Sequence, residues 1–143
     1  MTATRSRKEE TDYKKYLKTI KHADCVFCII EKGNDQLVEE TVGFKVIKNI
    51  FGYSLWDGQR VTDHLMITPK KHSNSLANMK PNEKVEYVDL IEKYEKLGYN
   101  IYSRAPSSII KSVVHQHTHL IKTEGRPMRL VLLLRRPYFR IVH

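Results

Sequence analysis

Cysteine is scarce in this 143-residue chain: Cys25 and Cys28 are the only two, spaced as a C-x-x-C. Other absences narrow the class further. No apolar run approaches the roughly 20 residues needed to cross a bilayer, and the opening "MTATRSRKEETDYKKY" carries charges where a signal peptide has its apolar segment. Both features predict a soluble, intracellular protein of the cytoplasm with no membrane partner. In such a compartment the cysteine pair suggests a metal or redox site more than a structural disulfide. No internal repeat is visible, and 41% hydrophobic with 29% charged residues suits one globular domain with a sizeable core. Acidic residues are in deficit, 16 against 25 basic, for a net charge of +9. That balance favours anionic partners such as nucleotides, polyphosphates or nucleic acid, although a solvated basic surface is its commoner meaning.

Histidine is distributed unevenly. Of seven, three stand at alternate positions of "SVVHQHTHLI": His115, His117 and His119. On a β-strand spanning Ser112 to Ile121 the three imidazoles project from one face, whereas a helix would swing His117 away from the other two. The flanking Val113, Val114, Leu120 and Ile121 favour the strand. Imidazole is the commonest metal ligand and the side chain most easily tuned to nucleophilic or acid/base work near neutral pH. Three in register favour function over amphipathic filling.

A redox reading of the cysteine pair lacks a thioredoxin-like βαβ surround. Tetrahedral zinc needs two more ligands, available among His64, His72 and the triplet. Two small buried apolar residues are the structural alternative. His64 and His72 bracket "LMITPKK", His64 facing the same way as Met66 and Thr68 while His72 lies past Pro69, so the two are predicted to serve different sites.

Residues 1–22 read as a basic, disordered tip and a short amphipathic helix carrying Tyr13, Tyr16, Leu17 and Ile20, and residues 23–143 as the domain proper, beginning near Asp24. A turn at Gly33-Asn34-Asp35 precedes a strand in "GFKVIKNI"; the loop "FGYSLWDGQRVTD" leads to a strand in "HLMITPKKH" stopped by Pro69. From Pro81 to Leu97 an apolar stripe of Val85, Val88, Leu90, Ile91, Tyr94 and Leu97 predicts one long helix, ended by Gly98. "YNIYS", the histidine strand, a turn at Glu124-Gly125-Arg126-Pro127 and "RLVLLLRR" complete the chain before a tail. The class is α+β with a mainly antiparallel sheet.

Three segments carry a resemblance. "HQHTHLI" resembles the signature of the histidine triad (HIT) superfamily, "HLMITPKKH" the segment upstream of it, and "CVFCII" the start of the domain in zinc-binding members. The likeness runs from about Cys25 to Ile121. It implies a small α+β fold, commonly paired as a homodimer, that binds nucleotides and acts on them through a nucleotidyl-histidine intermediate. By resemblance His117 is the nucleophile, and His119 contacts the phosphate or helps protonate the leaving group. His64 matches the upstream histidine near the triad, and Ser112 a phosphate-contacting serine. Zinc, one structural ion per chain, falls to Cys25, Cys28, His72 and His115, a donor set of suitable softness for a closed site. Phe27 and Ile30 lie where pocket-lining apolar residues fall, and Asp57 lies near an acidic residue that binds ribose hydroxyls.

Departures from the family pattern are equally local. Gln116 and Thr118 replace apolar residues, so the reverse face of the strand is predicted to meet solvent or a polar partner. Ile110 and Lys111 replace a Gly-Gln pair, Lys111 offering charge to a polyphosphate or standing solvated. "KTEGRP" replaces the frequent Pro-Arg. The resemblance implies hydrolysis of, or nucleotidyl transfer from, a nucleoside phosphoramidate, adenylate or dinucleoside polyphosphate. The alternatives are a weakly catalytic nucleotide- or RNA-binding module, supported by the basic surface, and a redox protein with a reversible Cys25–Cys28 disulfide.

Overall fold

Two adjacent residues with positive φ, Asp57 at 54° and Gly58 at 73°, close a two-residue turn in the computed structural model. The structure describes residues 5–19, 25–127, 131–135 and 138–142. The turn joins β3 (Leu55–Trp56) to β4 (Gln59–Pro69), so the segment expected to be a loop holds a hairpin. An Asp-Gly pair with left-handed backbone at both positions matches the twist of antiparallel strands.

β4 is the spine of the sheet. It pairs with β2 (Phe44–Lys48) on one side and β6 (Thr118–Glu124) on the other; β1 (Leu37–Glu40) and β5 (Asn100–Ser103) flank these, giving the order β1-β2-β4-β6-β5 with every pairing antiparallel. A short helix, α1 (Arg7–Thr19), precedes the sheet, and a long one, α2 (Pro81–Lys96), links β4 to β5. This is the α+β arrangement expected. Among the described residues no helix is long and apolar enough to cross a membrane.

Alternation along the strands sorts side chains to two buried faces. Phe44, Val46, Leu65, Ile67 and Leu120 pack on one face with Leu90 and Tyr94 of α2. Ile47 and Met66 point the other way, toward Phe27 and Ile30. The stripe of α2 is therefore narrower than predicted. Tyr87, Leu90, Ile91 and Tyr94, spaced i, i+3, i+4 and i+7, face the sheet, whereas Val85, Val88 and Leu97 are exposed. The helix starts at Pro81, where the backbone N–H of Lys80 donates to the Glu83 carboxylate at 2.7 Å, and ends at Gly98 with φ at 86°.

Two further expectations change. The histidine strand begins at Thr118, so His115 and His117 precede it. β5 ends opposite Thr118, at Ser103, and past Ile67 β4 pairs with β2 alone, while the Gln116 N–H bonds the Ser73 carbonyl instead, at 2.6 Å. The C-terminal tail carries β7 (Val131–Arg135) and β8 (Tyr138–Val142), paired as a separate antiparallel hairpin. Ile20, Asp24 and the expected disordered tip lie outside the described residues.

Candidate functional site

The segment 115–119 supplies histidines to two clusters. In the first, a tight turn in which the Cys28 N–H bonds the Cys25 carbonyl at 2.9 Å sets both thiols on one side. His115 Nδ1 lies 3.2 Å from Cys25 Sγ and 3.5 Å from Cys28 Sγ, and His72 Nδ1 lies 3.5 Å from Cys28 Sγ. All four ligand atoms fall within 4.8 Å of one another. Zinc–sulfur and zinc–nitrogen bonds of about 2.3 and 2.0–2.1 Å at tetrahedral angles separate S and N by roughly 3.6 Å, so the donor set fits the ion. His115 is also oriented from behind: its Nε2–H donates to the Pro69 carbonyl at 2.9 Å, leaving Nδ1 as the lone-pair nitrogen directed at the thiols. Burial pushes the Cys28 thiol up, with the neighbouring Cys25 adding to the shift.

The second cluster joins β4, β6 and the residues just before β6. The Tyr53 N–H donates to His64 Nδ1 at 3.1 Å, which puts the proton of His64 on Nε2. That Nε2–H faces His119 Nδ1 at 2.9 Å, so His119 carries its own proton on Nε2. Gly52 permits the loop to close over His64, since a Cβ there would lie 3.3 Å from the His64 Cβ and Nδ1. His117 is fixed separately: its Nδ1–H donates to the His115 carbonyl at 2.8 Å, leaving Nε2 unprotonated. Phe27 meets the His117 ring edge-on at 5.2 Å, and the rings of His117 and His119 are 5.0 Å apart.

All three imidazoles of this cluster are kept neutral, first by burial. His64 is pushed down to about 3, with Arg5 and His117 adding to the effect. His119 lies well below its usual value, through burial and then His64, His117, Arg104 and Arg5. Burial lowers His117 as well, opposed by its bond to the His115 carbonyl and reinforced by Lys111 and Arg104. Neutral imidazoles ringed by cations suit an anionic guest.

A cleft, part of it open to solvent and enclosing only about 70 Å³, is lined in part by His117, His119 and Ser112. Phe27 and Ile30, which the resemblance gave to the nucleoside pocket, are among its lining residues. Lys111 is not: its ammonium bonds Gln116 Oε1 at 3.0 Å and the Asn74 carbonyl at 3.2 Å. Asp57 is absent from the lining too. It forms the β3–β4 turn, with one carboxylate oxygen buried and unpartnered among the described residues. The reverse face of the triad meets no solvent. Gln116 and Thr118 are buried, Gln116 Nε2 donating to Ser103 Oγ at 2.7 Å and Thr118 Oγ1 lying 2.7 Å from the Tyr87 hydroxyl.

Sequence reasoning missed several cavity residues. Asn49 lines it with its amide nitrogen 3.2 Å from His64 Nε2, and Arg5, Tyr13 and Tyr16 reach it from the N-terminal segment. Lys45 is buried near the thiol cluster with its ammonium on the Ile30 carbonyl. Only for Asn49 was there a local signal: a polar residue ending a buried strand.

No family model matches the chain. The adenosine 5'-monophosphoramidase HNT1 of Candida albicans is 30% identical over 113 residues, covering 70% of each chain. An uncharacterized HIT-like protein of Borreliella burgdorferi is 31% identical over 109 residues, 68% of this chain and 74% of its own. Among solved structures, that of a zinc-bound histidine triad family protein from Mycobacterium smegmatis superposes with a TM-score of 0.53 at 21% identity, over 71% of this chain and 76% of that one. With the His-x-His-x-His segment, the antiparallel sheet and these relatives together, the chain belongs to the histidine triad superfamily.

Proposed function

We propose that this protein is a nucleotide hydrolase or nucleotidyl transferase acting at the α-phosphate of a nucleoside phosphoramidate, adenylate or dinucleoside polyphosphate. The carrying observation is the tautomer of His117. Its Nδ1–H is held by the His115 carbonyl at 2.8 Å, so Nε2 of a cavity-lining ring keeps its lone pair. In this reading Nε2 attacks the α-phosphorus, the bond to the leaving group breaks with its electron pair, and the phosphorus–nitrogen bond formed is cleaved by water to release nucleoside monophosphate. His119, protonated at Nε2 through the His64 relay, donates a hydrogen bond to a phosphoryl oxygen as charge develops. Ser112, which lines the same cavity, is assigned to phosphate binding, and Phe27 and Ile30 to the nucleoside.

Cys25, Cys28, His72 and His115 are assigned to one structural zinc per chain, and the free thiols fit a reducing compartment such as the cytoplasm. The ion's saturated shell supplies no chemistry to the phosphoryl group. β5 has no neighbour on its outer side among the described strands, an open edge that suits a homodimer. Light scattering tests that assembly.

The functional test is a substrate panel run on wild type and His117→Ala. Wild type should release nucleoside monophosphate from at least one substrate, with a nucleotidyl adduct detectable by mass spectrometry of the quenched reaction, and His117→Ala should abolish both. Turnover surviving the substitution would remove the nucleophile. Salt-sensitive binding of single strands without turnover of any nucleotide would favour a binding module instead.

A further inference from the structure

Three cavity residues come from outside the sheet and its loops. Arg5, Tyr13 and Tyr16 lie on or just before α1, a helix that contributes to neither core cluster. Its contacts converge on the loop 51–54 at the cavity rim. Arg5 Nε donates to the Phe51 carbonyl at 2.7 Å, the Ser6 N–H donates to Ser54 Oγ at 3.2 Å, and the Ser54 hydroxyl meets the Glu9 carboxylate. The rings of Tyr13 and Tyr16 lie 5.3 and 4.9 Å from that of Phe51. A helix serving only to cover the core would turn its aromatic side toward the sheet. Here that side closes the cavity.

This contact combines two chemistries. The Arg5 guanidinium sits 4.5 Å from the Tyr13 ring centroid and 5.1 Å from that of Tyr53. The Tyr53 ring lies in turn 4.9 Å from that of His64 and 5.6 Å from that of His119, and after burial the charge of Arg5 is the next influence keeping His64 neutral. Glu9, the acidic neighbour of Arg5, is already engaged by Ser6 and Ser54. Tyr13, Tyr16 and Phe51 instead join Ile47 and Ile50 in an apolar and aromatic stretch of the lining.

We propose that the segment from Arg5 to Tyr16 forms one wall of the nucleotide site, Arg5 contacting phosphate and Tyr13 and Tyr16, with Phe51, packing against the base. The assignment rests on the nucleotide reading above and adds to it a binding element contributed by the N-terminal helix. Aromatic faces suit any base, and a guanidinium offers a planar fork of donors to phosphate oxygens.

NMR titration of the full chain with AMP, ribose 5-phosphate and adenosine separates the two roles. Tyr16→Ala should weaken AMP about 10-fold or more, the scale of a lost base–aromatic stack, and leave ribose 5-phosphate within about twofold, while Tyr16→Phe should bind AMP as wild type does. Arg5→Gln should weaken AMP and ribose 5-phosphate alike by about 10-fold, as for a lost charge-assisted contact, without changing adenosine. Equal losses across all three ligands would mean that α1 merely undocks, and would overturn the division of roles. Unchanged AMP affinity in Tyr16→Ala and Arg5→Gln, with His117-dependent turnover intact, would overturn the wall and leave the nucleotide reading standing. A wild-type protein that neither binds AMP nor turns over any substrate would overturn both.

Discussion

Replacing Cys25 with serine removes one of the four donors that converge within 4.8 Å, and the cost follows from how far apart in sequence they are. Cys25 and His115 are 90 residues apart, and Cys28 and His72 are 44 apart. A clip closing a loop of about 90 residues restricts the unfolded chain by roughly 4 to 5 kcal/mol on the chain-entropy relation. For a domain of this length that corresponds to a loss of about 10 to 15 °C in melting temperature. Binding of the ion by unfolded thiols reduces the figure, and a chelator that competes with the three remaining ligands increases it. Elemental analysis of wild type should give about one zinc per chain, with Cys25→Ser falling well below that and melting earlier. His117→Ala is the internal control. Its Nδ1–H is committed to the His115 carbonyl, so its zinc content should equal that of wild type. Zinc-free wild type with an undiminished melting temperature would refute the structural role, and zinc lost on His117→Ala would mean that the wrong triad member has been given to the metal.

Three further outcomes follow from particular contacts. His64→Phe deprives the Tyr53 N–H of its acceptor and His119 Nδ1 of its donor; turnover should fall about 100-fold or more in kcat, the scale of a lost proton-handling group, and unaltered kcat would remove the relay. Acid should destabilise the fold: His64 is held down to about 3, with Arg5, His117 and His119 around it, so protonation favours the unfolded chain. Its stabilising contribution is full above pH 6.5 and is lost as pH falls from there toward 3, by up to roughly 1.4 kcal/mol per unit; denaturant midpoints that stay flat from pH 6.5 to 4.5 would contradict this. Gly98→Ala forces a Cβ onto φ of 86° at the end of α2 and should cost about 1 kcal/mol, read as an earlier chemical denaturation midpoint with turnover retained.

Local pattern carried the sequence reading furthest where function needs short-range geometry. The alternation of His115, His117 and His119, the paired thiols and the limits of α2 are all visible within a few residues of one another. The sheet edge was not. Nothing in "SVVHQHTHLI" says that β5 ends opposite Thr118, so the strand expected from Ser112 begins only at Thr118 and His115 and His117 lie before it. Asp57 was read for its charge when the Asp-Gly pair was signalling a hairpin, a signal present in the sequence and overlooked. Lys111 was read as free charge, but its partners Gln116 and Asn74 are fixed by tertiary packing. Arg5 offered no local sign at all, because its neighbours Phe51 and Tyr53 lie more than forty residues along the chain.

The two histidine clusters are coupled through one residue. His115 presents Nδ1 to the thiols, gives its Nε2 proton to the Pro69 carbonyl, and offers its own carbonyl to His117. Every polar group of that residue except its N–H therefore has an assigned direction. A side chain anchored at both ring nitrogens cannot rotate, and the peptide following it is held in turn by the Gln116 N–H on the Ser73 carbonyl. The His115 carbonyl is thereby aimed at His117 Nδ1 by constraints that originate in the cysteine turn and the loop after β4. An anchored acceptor of this kind fixes the tautomer of His117 before any substrate arrives, which is the preorganisation that nucleophilic imidazole chemistry requires. In the proposed reading the cysteine pair and His117, separated by about ninety residues, are thus parts of a single device in which the residues assigned to zinc set the geometry and the adjacent histidine uses it.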